Sequence, residues 1–226
     1  VRRAALIKKT VSLDIFADCV CPWCFLGFRR LLQARDLVAD IELGIHFRPF
    51  LLDPYLPPVG RPYKSYIQQK LGGRDNVYAT EHKLKELGEG EGIEFDFDAI
   101  ETAPNTLDAH RVIHWAAQAE KGVQEQVVNE IFSCYFEQGQ NIGRHDVLIH
   151  AAGAAGMRTD VVAKLLDSDI DRGTIRDEAA SAHHIGVHSV PCFVLDRKYV
   201  IIGAESAEAL GDIIHQIADG FEPVRT

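Results

Sequence analysis

The order of residue patterns predicts an α/β fold in which a mixed sheet with flanking helices is interrupted by a helical insertion domain. Three observations carry this. β-type alternation marks both ends of the chain, helical periodicity fills the middle, and a Cys-x-x-Cys pair sits where the first strand hands over to the first helix.

Residues 11–16, VSLDIF, alternate apolar with polar side chains and are rich in β-formers, which reads as a strand. DCVCPWC follows at 18–24, and beyond it Leu26, Arg30, Leu31 and Ala34 keep helical spacing, with Pro22 suited to a first helical turn. ELGIHFRPF, at 42–50, alternates again and puts Leu43, Ile45 and Phe47 on one face. A right-handed crossover makes these two strands parallel neighbours in one sheet. This first part of the sheet domain spans 11–52.

Residues 53–172 form the expected insertion. Asn105 reads as an N-cap with Asp108 three residues on, and Ala109, Val112, Ile113 and Ala116 then share a face. Val127, Ile131, Cys134 and Tyr135 repeat that spacing. Leu148, Ala151, Ala152 and Ala155 repeat it again with small residues that permit close helix packing. GEGEG at 88–92 reads as a loop, and IEFDF at 93–97 is a weak strand pattern. The second part of the sheet domain, 173–220, holds CFVLD and YVIIG, an antiparallel hairpin connected around Arg197. A last helix, capped by Ser206, buries Leu210, Ile213, Ile214 and Ile217.

Composition narrows the function classes. A chain of 226 residues with 46% hydrophobic content can bury a core without disulfide staples. A formal charge of −9 without a basic stripe argues against nucleic-acid binding, because phosphate affinity needs clustered Lys and Arg. The basic VRRAALIKKT reads as a mobile arm whose apolar run is too short for a secretory leader, and no later segment approaches a membrane span. The expected location is cytoplasmic, where a close cysteine pair is more often catalytic or metal-binding than structural. Five cysteines, an odd number, also fit poorly with a fully paired secreted framework. An acidic surface beside a helical insertion is compatible with a homodimer.

The chemistry concentrates in Cys21-Pro22-Trp23-Cys24. At a strand-to-helix junction the first thiol faces unpaired backbone N–H groups and the positive end of the helix dipole, which favour a thiolate. Cys21 is the expected nucleophile. Cys24, one helical turn further in, is the expected resolving thiol. Trp23 offers an apolar platform beside the sulfurs. Cys19 and Cys192 are candidate auxiliary thiols, against the plainer reading of unpaired cysteine as a small buried hydrophobe. Cys134, on an apolar helix face, reads as core. His110 and His114 are spaced i, i+4, and His183, His184 and His188 precede Cys192, so zinc ligation can be drawn. No second Cys-x-x-Cys accompanies them, and neither metal nor cofactor is expected.

DCVCPWCFLG after a strand, together with GVHSVPCFVLDRKYVIIGAES at 186–206, resembles the DsbA family of thioredoxin-fold proteins, specifically its FrnE-like branch. FRPFLLDP at 47–54 and NTLDAHRVIHWA at 105–116 resemble that branch and its relatives, the 2-hydroxychromene-2-carboxylate isomerases and kappa-class glutathione transferases. The resemblance implies a thioredoxin-like fold and a protein disulfide oxidoreductase. It implies a cis Pro191 against the cysteine pair, with the Val190 backbone receiving a ligand, so that Pro22, Trp23, Val190 and Pro191 form the substrate edge. The implied substrate is a disulfide- or thiol-containing protein or a small thiol such as glutathione. Two alternatives stand beside it. One is a glutathione-dependent isomerase or transferase, although those relatives typically carry serine at the catalytic position. The other is a metal- or partner-binding module without catalysis.

Overall fold

The computed structural model describes residues 9–220. In chain order the elements are β1 (Lys9–Ala17), α1 (Pro22–Leu37), β2 (Ile41–Pro49), β3 (Arg61–Pro62), α2 (Tyr63–Leu71), α3 (Arg74–Gly90), β4 (Thr102–Ala103) and α4 (Leu107–Ala116). They continue with α5 (Val123–Phe136), α6 (His145–Ala154), α7 (Thr159–Leu166), α8 (Arg172–His184), β5 (Cys192–Leu195), β6 (Tyr199–Ile202) and α9 (Ala207–Ala218). The main sheet has the order β2-β1-β5-β6. Strands β1 and β2 are parallel, from Lys9 opposite Ile41 to Ala17 opposite Pro49, and β5 is antiparallel to both β1 and β6. The result is a mixed sheet with a helical insertion between β2 and β5.

Alternation in the strands sets the two faces. Leu13, Ile15, Phe193 and Leu195 join the main core with Phe25, Phe28 and Leu31 of α1 and Leu210, Ile214 and Ile217 of α9. Phe16 and Cys192, one residue out of phase, point the other way and pack with Phe50, Ala182 and Val187 in a smaller cluster. The helices of the insertion extend the main core through Phe132 and Phe136, which stack with Phe25. Arg30 fixes α1 at both sides, donating to Glu91 and to the Ala204 carbonyl, each at 2.6 Å.

Several local expectations change. The arm read at VRRAALIKKT lies outside the described residues except for Lys9 and Thr10, which open β1. GEGEG is not all loop: α3 runs to Gly90, and buried Gly88 lets the helix approach Phe95 so closely that a Cβ would stand 2.8 Å from the ring. IEFDF forms no strand; Phe95 and Phe97 pack on Phe136, and the Asp96 amide donates to the Phe136 carbonyl at the end of α5. A small ribbon, β3 with β4, occurs instead, elsewhere in a stretch read as helical apart from IEFDF.

The N-cap of α4 is Thr106, one residue later than expected, while Asn105 accepts from the Leu107 amide and donates to the Leu56 carbonyl. Asp108 is drawn away from capping by Arg111 at 2.8 Å and Arg172 at 3.0 Å, which hold its carboxyl below the usual range against the opposing pull of burial. Ser206 caps α9 as expected, accepting from the Ala209 amide. The β5–β6 connection turns through Asp196 and Arg197 at positive φ, with Asp196 Oδ1 accepting from the Ser12 amide.

Candidate active site

The β1–α1 junction determines where the sulfurs go. Cys21 is the N-cap of α1 in an extended conformation, Pro22 occupies the first helical position, and the Cys21 carbonyl accepts from the amides of Cys24 and Phe25. Pro22 has no N–H to leave unpaired, so this terminus starts cleanly at the cysteine. All five cysteines are free and buried. Cys24 is fully enclosed, and burial is the main force that pushes its thiol well above the ordinary value. A hydrogen bond to Cys21 and the charge Cys21 carries when ionised add to that rise. Cys24 is therefore held as a thiol.

Across from α1, the Val190–Pro191 peptide is cis, and the Val190 carbonyl lies 3.9 Å from Cys21 Sγ. Gly27, one turn beyond the cysteines, permits this approach: a Cβ there would stand 2.9 Å from Pro191 Cγ. Cys21, Pro22, Val20 and Trp23 also form one wall of a cavity of about 280 Å³, whose other walls come largely from the insertion through Leu56, Ile67, Leu84, Phe97 and Tyr135. Tyr63 and Tyr66 lie in the same lining and bond Glu81 and Asp53, each at 3.4 Å. Burial and those carboxylates push the Tyr63 phenol out of the physiological range and Tyr66 up to about 12, so both remain donors.

The remaining sulfurs separate from this pair. Cys192 follows Pro191 on β5 but faces the smaller cluster on the far side of the sheet, where burial raises its thiol. Cys134 is buried in α5, its thiol pushed up to about 11 by burial first and Glu130 second. Cys19 packs in the main core beside Asp18, and burial followed by the Asp18 charge raises its thiol well above the ordinary range. The i, i+4 histidines both line a second cavity of about 240 Å³ with His46 and Glu178, and His110, the more buried of the two, also lies near Asp18. His183 packs on Phe50 with His188 beside it; both are exposed, and neither lines the cavity beside Cys21. The sequence reading missed Asp18, Gly27 and the tyrosines. Asp18, an acid directly beside a cysteine motif, was the one visible signal among them.

A mixed sheet with this strand order, a dithiol at the head of α1 and a cis-proline opening β5 define a thioredoxin-fold protein. The chain belongs to the DSBA-like thioredoxin domain family, whose model matches residues 12–215. It is 25% identical over 197 residues to the uncharacterized protein YwbO of Bacillus subtilis, covering 82% of this chain and 87% of that one. It is 22% identical over 215 residues to glutathione S-transferase kappa 1 of Rattus norvegicus, covering 89% and 90%. Among solved structures, a probable DsbA oxidoreductase from Streptomyces coelicolor superposes with a TM-score of 0.83 at 25% identity, covering 96% of this chain and 93% of that one. A 2-hydroxychromene-2-carboxylate isomerase shares the fold at TM-score 0.68 and 14% identity, over 93% of this chain and all of that one. So does the cytosolic disulfide reductase DsbM of Pseudomonas aeruginosa solved with GSH, at TM-score 0.55 and 18% identity, over 92% and 98%.

Proposed function

We propose that the protein is a thiol:disulfide oxidoreductase working through Cys21 and Cys24. The observation that carries this reading is the asymmetry of the pair. Cys21 sits at a helix N-terminus and lines an open cavity, where the dipole favours an anionic sulfur, while Cys24 is enclosed and held as a thiol in contact with it. The Cys21 thiolate attacks one sulfur of a substrate disulfide; a Cys21–substrate disulfide forms and the other substrate sulfur leaves as a thiolate. Cys24 then gives up its proton and attacks Cys21, releasing the second substrate thiolate. The substrate gains two electrons, and the Cys21–Cys24 pair is left as a disulfide for an external thiol to reduce. Run in reverse, the same steps oxidise a dithiol.

In this reading Val190, Pro191, Pro22 and Trp23 form the edge on which the substrate sulfur docks, and Gly27 keeps that edge against α1. The substrate is a disulfide-bearing protein or a small thiol, and glutathione is a chemical candidate because one relative is a glutathione S-transferase and one fold neighbour was solved with GSH. A cytoplasmic site of action is consistent with an odd number of cysteines and with the cytosolic name of that neighbour. Among the described residues, no helix is long and apolar enough to cross a membrane.

The test is Cys24→Ser. With its resolving thiol gone, the variant accumulates a mixed disulfide at Cys21 when incubated with oxidised glutathione or an oxidised peptide, seen as a mass increase that a reductant reverses. An unmodified Cys21 after prolonged incubation with both substrates sinks the mechanism. A second reading, a glutathione-dependent isomerase or transferase, is favoured by the apolar cavity beside Cys21 and its three tyrosines. It predicts that Cys24→Ser keeps full turnover of a small aromatic substrate with glutathione. Loss of that turnover, or none in the wild type, removes this reading.

A further inference from the structure

Asp18, Cys19 and His110 are brought together from two parts of the chain: the loop between β1 and α1 supplies the first two and α4 the third. Their donor atoms all lie within 4.8 Å of one another. The three side chains are only 1%, 3% and 5% exposed. Asp18 Oδ2 accepts from the Leu52 amide at 2.7 Å, but Oδ1 has no hydrogen-bond partner. His110 Nε2 has none either, and the two unpaired atoms stand 3.6 Å apart. A buried polar atom left without a partner keeps its full desolvation penalty, so a ligand that both atoms could bind would relieve it. A void of about 10 Å³, lined by Cys19 and His110 with Phe47, Arg48 and Phe132, adjoins them, and the Arg48 guanidinium is paired with Asp14. The size of the void suits one small sphere and no organic ligand.

We propose that Asp18, Cys19 and His110 form a buried site for a single zinc-class divalent cation. Charge decides in its favour. A carboxylate and a thiolate balance two positive charges in a buried place where an unbalanced charge is costly, and a neutral imidazole is the third donor. The donor types agree: one sulfur, one imidazole nitrogen and one carboxylate oxygen suit a borderline cation rather than magnesium or calcium. On binding, the Cys19 proton leaves to solvent, Nε2 of His110 binds through its lone pair, and nothing is oxidised or reduced. The cation would tie the loop that ends at Cys21 to α4 of the insertion. This departs from the sequence reading, which paired His110 with His114 on paper and expected no metal.

The experiment titrates cobalt(II), then zinc, into the full chain purified under reducing conditions. The expected result is one cobalt per chain with a charge-transfer absorption of one thiolate, displaced by zinc. Cys19→Ala and His110→Ala abolish that absorption. A Cys21→Ser/Cys24→Ser double variant keeps it, which supports the site even where Cys19→Ala does not fold. No stoichiometric cobalt in the wild type overturns the proposal and leaves a bridging water as the occupant. Absorption that persists in a folded Cys19→Ala protein and vanishes in the double variant also overturns it, because the redox pair is then the ligand. The mixed-disulfide test at Cys24→Ser is independent of all these outcomes.

Discussion

Cys19 and Cys21 stand two residues apart and occupy opposite environments. Cys21 caps α1, contacts Cys24, faces the Val190 carbonyl and lines a cavity large enough for a small substrate. Cys19 is turned into the core beside a buried carboxylate that disfavours its ionisation. Residue type is the same, so the difference lies in the backbone. Where the extended chain becomes a helix, one sulfur is left at the N-terminus and the one before it is folded under the loop. Cys192 makes the same point through the sheet: it follows Pro191, yet strand alternation sends it to the face away from α1.

The largest effect should come from Cys21→Ser, which reduces disulfide exchange to the uncatalysed background in an insulin or small-disulfide reduction assay. Exchange that survives would make one of the other sulfurs the nucleophile and erase the contrast. Gly27→Ala adds a methyl 2.9 Å from Pro191 Cγ and should destabilise the fold by about 1–3 kcal/mol, read by urea denaturation, while slowing mixed-disulfide formation. Wild-type stability and rates in that variant would show that Pro191 does not depend on α1 for its position.

Stability should also fall at high pH. The folded-state values of Cys19 and Cys24 lie well above the ordinary 9.0, so above pH 9.0 the unfolded chain ionises first and binds fewer protons. The contribution of these thiols is complete below that pH and is lost as pH rises towards the folded values. A denaturation series on metal-free protein from pH 7 to 10 checks it, and Cys19→Ala should flatten the decline. An unchanged slope in that variant would contradict the burial assigned to Cys19. The smallest effect is expected for Ser206→Ala, about 1 kcal/mol from the lost cap of α9 with exchange rates unchanged.

Much of the fold was legible because the patterns that reveal it are local. Alternation at 11–16 and 42–50 marks two strands that do pair in parallel, and the Ser206 cap with Leu210, Ile214 and Ile217 marks α9. Where tertiary contacts override local preference, the reading failed. Gly88 is helical because Phe95 packs against it, and Phe95 with Phe97 forms no strand because their partner is the aromatic cluster around Phe136. The cysteine pair was visible as a motif at a strand-to-helix turn. Its surroundings were not, since the cavity draws on residues from 52 to 135 and the Asp18, Cys19 and His110 cluster joins positions more than ninety residues apart. Only folding brings these together.

The most direct test of the contrast among the sulfurs is a disulfide map of the wild-type protein equilibrated in a glutathione redox buffer, acid-quenched, alkylated and digested. The account predicts a single internal disulfide, Cys21–Cys24, with Cys19, Cys134 and Cys192 recovered as alkylated thiols. A disulfide that joins Cys19 or Cys192 to either member of the pair would contradict it.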